Sequence, residues 1–99
     1  MEPVTFINCF EVPNGREEEF LGYYEQANRY VRQRPGFISN ELHRSIQPNS
    51  HFTFINVVKW ESAEAWQAAH DEGFRQLLSR TMGTDFPATG ALFQVVSQH

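Results

Sequence analysis

The 99-residue sequence has one cysteine, no excess of basic residues and no long apolar run. Cys9 alone cannot form an internal disulfide, and the four histidines lack the spacing of a zinc site, so we expect no metal. A net charge of −4 makes nucleic acid and anionic membranes poor partners. No apolar run approaches the ~20 residues of a membrane span, and Met1-Glu2-Pro3 does not start a signal peptide. We therefore predict one cytoplasmic domain over residues 1–99.

Hydrophobic periodicity and turn signals divide the chain into strands and helices. We expect Asn14 to cap the first helix, which Pro35-Gly36 ends, and Ser62 to cap the second helix. The predicted elements are a strand over 4–12, a helix over about 15–33, strands over 37–46 and 51–60, a second helix interrupted near Gly73, a loop over 81–89 and a strand over 91–97.

The element order βαββαβ predicts an α+β, ferredoxin-like fold, a four-stranded antiparallel sheet with helices on one face and strands 1 and 3 at its centre. Strand alternation places Asn8 and Asn56 on one face and a second apolar set, Ile7, Cys9, Ile55 and Val57, on the other. The helices can cover only one face. We therefore predict a homodimer in which the uncovered faces of two copies pack together.

Asn8 and Asn56 each lie in the middle of a predicted central strand, among aromatic and β-branched residues. An unpaired buried amide costs roughly 1–3 kcal/mol, so both side chains need hydrogen-bond partners. Either they bond each other, a helix end or a buried water, or they bind a ligand. Trp60 follows Asn56 on the same strand face, about 13 Å along, which favours a flat, ring-sized ligand between them.

Four more residues are predicted to bind the substrate on this face: Trp66, Phe54, Tyr24 and His70. The turn over 47–50 predicts a hairpin register in which His43 faces Phe54 and Glu41 faces Asn56. His43 is then a candidate proton acceptor near neutral pH, although a slip of one residue would move it to the other face of the sheet.

Three segments, FINCFEVPNGREEEFL, RQRPGFISNELHRS and FTFINVVKWESAEAW, resemble the antibiotic biosynthesis monooxygenase family of dimeric α+β barrel proteins. The N-x-x-x-W-E-S pattern is the most specific of these motifs. The resemblance implies functional positions at Asn8, Asn56, Trp60, Trp66 and Arg80. It also implies anthrone oxygenase chemistry that uses O2 without metal, flavin or haem.

A second branch of the superfamily degrades haem, with an Asn on strand 1 and a Trp and a haem-ligating His on the second helix region. Asn8 fits that pattern. Counted from Trp60, the other two positions fall on Ala69 and Ser79, so the resemblance does not favour haem cleavage by that route.

Together these observations predict a cofactor-independent monooxygenase that oxidises an electron-rich anthrone-like or phenol-like substrate to a quinone, with O2 as co-substrate. Asn8 and Asn56 would bind the oxygen atom on which charge develops, and Trp60 would supply an indole N–H and a flat wall. Arg80 would stabilise charge, and His43 would act as base. The alternatives are a non-catalytic dimer that binds a small aromatic metabolite and a haem-degrading monooxygenase.

Overall fold

A four-stranded antiparallel sheet and three helices form the structure, a computed structural model that describes residues 2–99 and leaves Met1 outside. The elements are β1 (Val4–Phe10), α1 (Glu17–Val31), β2 (Phe37–Arg44), β3 (Phe54–Trp60), α2 (Ala63–Ala69), α3 (Glu72–Arg80) and β4 (Ala88–Phe93). The strand order is β2-β3-β1-β4, with every neighbouring pair antiparallel. This confirms the predicted ferredoxin-like α+β fold. None of the helices within residues 2–99 is long and apolar enough to span a bilayer.

Several element ends differ from the predictions. Arg16, not Asn14, is the N-cap residue of α1, and Glu17 instead accepts a hydrogen bond from the Gly15 N–H at 2.8 Å. The second helical region breaks at His70 and Asp71, before Gly73, and α3 begins at Glu72. Strand β4 starts three residues earlier than predicted, because its pairing follows β1 from the Phe10–Ala88 pair onward.

Buried aromatic and aliphatic side chains fill the space between the sheet and the helices in two clusters. The first cluster comprises Phe10, Val12, Phe20, Phe54, Met82 and Phe86, and the second comprises Val4, Val58, Trp60 and Ala69. Phe20, on α1, stacks on Phe54 with ring centroids 4.8 Å apart. Phe54 is 2% exposed and belongs to this core.

The register of the β2–β3 hairpin differs by one residue from the prediction. Leu42 pairs with Asn56, and His43 pairs with Ile55. Beyond the last ladder pair, Arg44 and Phe54, the Ser45 N–H donates to the Thr53 carbonyl at 2.9 Å. The loop is therefore longer than the predicted four-residue turn.

Asn49 lies at the centre of this loop with φ of 61°, a left-handed conformation that asparagine tolerates better than most residues. Because side chains alternate along a strand, the slip moves His43 and Glu41 to the face opposite Asn56. The His43 side chain is 57% exposed there, with Nε2 3.9 Å from Glu41 Oε1. The predicted role of His43 as a base in the site is therefore wrong.

Asp71 joins the end of α1 to the start of α3. Its Oδ1 accepts hydrogen bonds from the Tyr30 hydroxyl at 2.6 Å and the Phe74 N–H at 2.9 Å, and its Oδ2 pairs with Arg34 at 2.7 Å. The Tyr30 hydrogen bond is the largest cause that lowers the pKa of Asp71 from its ordinary value. The carboxylate form is therefore more stable in the folded chain than in the unfolded chain.

We expect Asp71→Asn to lower the melting temperature at pH 7, because the amide can still cap α3 but carries no charge. A carboxyl whose pKa is lowered by folding stabilises the fold at neutral pH and loses this contribution as the pH falls below about 4. The difference in melting temperature between wild type and variant, followed by circular dichroism, should therefore stay constant from pH 7 to about pH 4 and decrease below it. Glu18→Gln, an exposed carboxylate near the start of α1, is the control. A difference that does not change with pH would contradict the charge argument.

Candidate functional site

A cavity of about 510 Å³ lies on the helix-covered side of the sheet. Its volume is within the roughly 300–1,000 Å³ range of small-molecule sites. Both core clusters contribute to its walls, and its apolar lining includes Phe6, Phe10, Val58, Trp60, Phe74, Leu78, Met82 and Phe86. Its polar lining includes Asn8, Tyr24, Asn28, Asn40, Asn56 and His70. Within residues 2–99 no Asp, Glu, Lys or Arg lines this cavity.

Asn8 and Asn56 are direct partners across the β1–β3 ladder, and both line the cavity. The sequence alternation predicts this juxtaposition. Gly90, on β4, pairs with Asn8 from the other side. A Cβ atom at Gly90 would lie 2.8 Å from Asn8 Oδ1 and 2.8 Å from the Phe6 ring, so the glycine leaves room for both side chains.

A hydrogen-bond network fixes the orientation of the Asn56 amide. The Tyr24 hydroxyl donates to Asn56 Oδ1 at 3.1 Å, and Asn40 Nδ2 lies 3.4 Å from the same oxygen. Asn40 Nδ2 also donates to the Tyr24 hydroxyl and to Asn28 Oδ1, both at 2.7 Å. Asn56 therefore uses its oxygen inside the protein, and its Nδ2 has no protein partner within residues 2–99 and can donate to a ligand.

Burial raises the pKa of Tyr24 to about 12. The phenol consequently keeps its proton at neutral pH and remains a donor to Asn56. Asn40 and Asn28 are functional candidates that the sequence reasoning missed. The predicted hairpin register placed Asn40 on the opposite face of the sheet, so the sequence did not indicate it. Asn28 follows Tyr24 by one helical turn and could have been found from that spacing.

His70 lies at the C-terminal end of α2 and faces the cavity. Its Nδ1 is 2.6 Å from the Trp66 carbonyl oxygen, and its ring packs against the rings of Phe6, Trp60, Trp66 and Phe74, with centroids 4.7–6.5 Å away. Burial among these rings lowers the pKa of His70 from its ordinary value. The imidazole is therefore neutral at pH 7.

The two tryptophans do not both form cavity walls. Trp60 is fully buried and lines the cavity, but its Nε1 is sealed from solvent and has no partner within residues 2–99. The indole N–H is therefore not presented to a ligand, contrary to the prediction. Trp66 does not line the cavity, because it packs behind Phe6 and His70 at centroid distances of 5.3 Å and 4.7 Å.

Two further predicted residues lie outside the cavity. Phe54 is part of the first core cluster, where its ring packs on Phe20 instead of facing the cavity. Arg80 is the last residue of α3 and is exposed. The cavity thus brings together, from the predicted set, Asn8, Tyr24, Asn56, Trp60 and His70, and leaves out Phe54, Trp66, Arg80 and His43.

An α+β protein whose sheet and helices enclose an uncharged aromatic cavity is suited to binding an apolar small molecule with a few polar atoms. Comparison with protein families identifies the family of the chain. The model of the family described as antibiotic biosynthesis monooxygenase matches residues 3–76, and the chain belongs to that family.

Individual relatives include oxygenases of different kinds. The chain is 36% identical over 66 residues to a mycobilin-producing haem oxygenase of Mycobacterium tuberculosis; the match covers 67% of this chain and 61%, less than two thirds, of that relative. A candidate monooxygenase from Shewanella loihica is similar in structure, with a TM-score of 0.81, 31% identity and coverage of 98% and 97% of the two chains. SnoaB, a cofactor-independent oxygenase from Streptomyces nogalater, has a TM-score of 0.82, 22% identity and coverage of 99% and 97%, a likeness of fold.

Proposed function

We propose that this protein is a monooxygenase that needs no metal or organic cofactor and oxidises an electron-rich anthrone-like or phenol-like ring with O2 to a quinone. The observation that carries the proposal is the pair Asn8 and Asn56, opposed on neighbouring strands in an uncharged aromatic cavity, with the Asn56 Nδ2 free to donate. Family membership supports oxygenase chemistry. SnoaB, which shares the fold, is described as cofactor-independent.

For this oxidation the protein needs only to bind the substrate and to stabilise its negative charge. A deprotonated anthrone is electron-rich enough to pass an electron to O2 itself. Amide N–H groups fixed beside its oxygen stabilise the anion more effectively than water can, because they are already oriented. In the net reaction the ring methylene loses both hydrogens, one oxygen atom becomes the new carbonyl, and the other leaves as water.

We expect the protein, stripped of metal and assayed with EDTA, to consume O2 with the anthrone dithranol faster than dithranol autoxidises. An oxygen electrode and the absorbance of the quinone product follow the same reaction. Glu18→Gln, an exposed substitution, should behave as wild type. Binding of dithranol without O2 uptake would instead favour a non-catalytic protein that binds an aromatic metabolite.

Haem degradation is the second candidate function, favoured by the 36% identity to the mycobacterial haem oxygenase. Asn8 lines the cavity as that branch requires. Ala69 is buried in the second core cluster and Ser79 is exposed outside the cavity, so the two other positions of the branch supply no Trp or His. Loss of haem absorbance after addition of hemin and ascorbate, without O2 uptake on dithranol, would favour this candidate over the first.

We also propose that two copies associate through the uncovered face of the sheet. Ile7, Cys9, Ile55 and Val57 are only half-buried there, and Phe93 on β4 is 49% exposed. A second copy would remove this apolar surface from water. The cytoplasmic location remains a prediction from the sequence.

A further inference from the structure

Two ionisable side chains line the cavity within residues 2–99, Tyr24 and His70. Any proton that a bound substrate loses to the protein near neutral pH must go to one of them. Tyr24 is unsuitable, because its hydroxyl is protonated and is used as a donor to Asn56 at 3.1 Å. His70 is the remaining candidate.

The hydrogen bond at Nδ1 determines which tautomer His70 adopts. A backbone carbonyl can only accept, so the contact of 2.6 Å to the Trp66 oxygen requires a proton on Nδ1. In a neutral imidazole the other nitrogen then carries a lone pair. His70 Nε2 accepts no hydrogen bond from residues 2–99, and it is not among the buried polar atoms sealed from solvent.

The surroundings of the ring keep this lone pair free. From β1, β3 and α3 the side chains packed on the imidazole are Phe6, Trp60 and Phe74, which favour the neutral form over the cation. The nearest charged groups lie outside the cavity. Asp71, the next residue, is paired with Arg34 of α1, and Arg75 of α3 donates to the His70 carbonyl at 2.8 Å. The Asp71 carboxylate can stabilise an imidazolium once His70 has taken a proton.

We propose that His70 Nε2 is the general base that deprotonates the aromatic substrate, an inference that rests on the proposed oxygenase function. The substrate C–H or O–H bond breaks, its electron pair stays on the ring system, and a new N–H bond forms on Nε2. The amides of Asn8 and Asn56 bind the oxygen of the resulting anion. The anion reduces O2 and combines with it to form a peroxide, which takes the proton from the imidazolium. The neutral imidazole then removes the second ring proton, the electron pair of that C–H bond forms the carbonyl as the O–O bond breaks, and the imidazolium protonates the departing hydroxide to give water.

The test separates deprotonation from oxidation by removing O2. Under nitrogen, dithranol mixed with wild-type protein at pH 7 should show the red-shifted absorbance of its anion. His70→Gln should still bind dithranol, measured by quenching of tryptophan fluorescence, but should leave it neutral. In air the same variant should lose about 100-fold or more of the O2 uptake rate. Imidazole added to His70→Ala should restore part of the rate.

The pH dependence gives a second reading that needs no variant. The anion bound to wild-type protein should decrease as the pH falls through the pKa of His70, below the ordinary value of about 6.5. Anion formation by His70→Gln equal to that of wild type would overturn the role of His70 while leaving the oxygenase function intact. Wild type that forms the anion under nitrogen but consumes no O2 in air would overturn the oxygenase function instead. Circular dichroism checks folding, and His70→Asn replaces the glutamine variant if that variant does not fold.

Discussion

Asn56→Ala is expected to lower the rate of O2 uptake with dithranol about 100-fold to 1,000-fold, the usual effect of removing one donor to a developing oxyanion. The reason is geometric. The Tyr24 hydroxyl occupies the Asn56 oxygen, so the amide NH2 is the part of the side chain that remains for a ligand. Steady-state kinetics should show the loss in kcat. The variant should also be less stable by about 1–3 kcal/mol, because the Tyr24 hydroxyl loses its acceptor.

Tyr24→Phe provides a matched test of the same geometry. It removes the hydroxyl that holds the Asn56 oxygen but leaves the Asn56 donor in place, so we expect a smaller loss of rate. If Tyr24 acts through Asn56, the double variant should be no slower than Asn56→Ala alone. Additive losses would show that the two side chains act independently, and full activity of Asn56→Ala would remove the amide from the mechanism.

Gly36→Ala is expected to cause the largest loss of stability, at least about 2 kcal/mol. Gly36 precedes β2 with φ of 88°, where a side chain is strained, and a Cβ atom there would collide with the Cβ of Ala65 on α2. Its carbonyl also accepts the Glu61 N–H at 2.8 Å, so the backbone cannot move away without losing a link to the end of β3.

Gly15→Ala isolates the two causes. Gly15 has a similar φ of 92°, but a Cβ atom there meets nothing within 4 Å. Urea unfolding of both variants should show a modest loss for Gly15→Ala, from backbone strain alone, and a larger loss for Gly36→Ala. Equal losses would mean that the collision with Ala65 contributes nothing.

The sequence predicts the fold and the centre of the site because both depend on strand alternation. Once β1 and β3 are central neighbours, alternation alone places Asn8 and Asn56 on the helix-covered face. The capping preference of Ser62 is equally local, and its hydroxyl does accept the Ala65 N–H at 3.1 Å.

The predictions that were wrong concern residues whose position depends on loop geometry and on how far a side chain reaches. The loop between β2 and β3 is longer than the predicted turn, with Asn49 in the left-handed region, and the register slip of one residue places Asn40 instead of His43 on the cavity face. The break between α2 and α3 turns His70 toward the cavity and leaves Trp66 behind it. The hydrophobic periodicity of the sequence does not predict at which residue the helix breaks.

The uncharged lining of the cavity favours neutral ligands over charged ones. A carboxylate or phosphate would leave water for walls of Phe, Trp, Met and Leu without meeting an opposite charge, at a high cost in desolvation. A neutral ring with one carbonyl or phenol oxygen gives up little hydration and gains the amide donors. We therefore expect the substrate to bind as a neutral molecule, the negative charge of the proposed chemistry to form only after binding, and water-soluble anions to bind poorly.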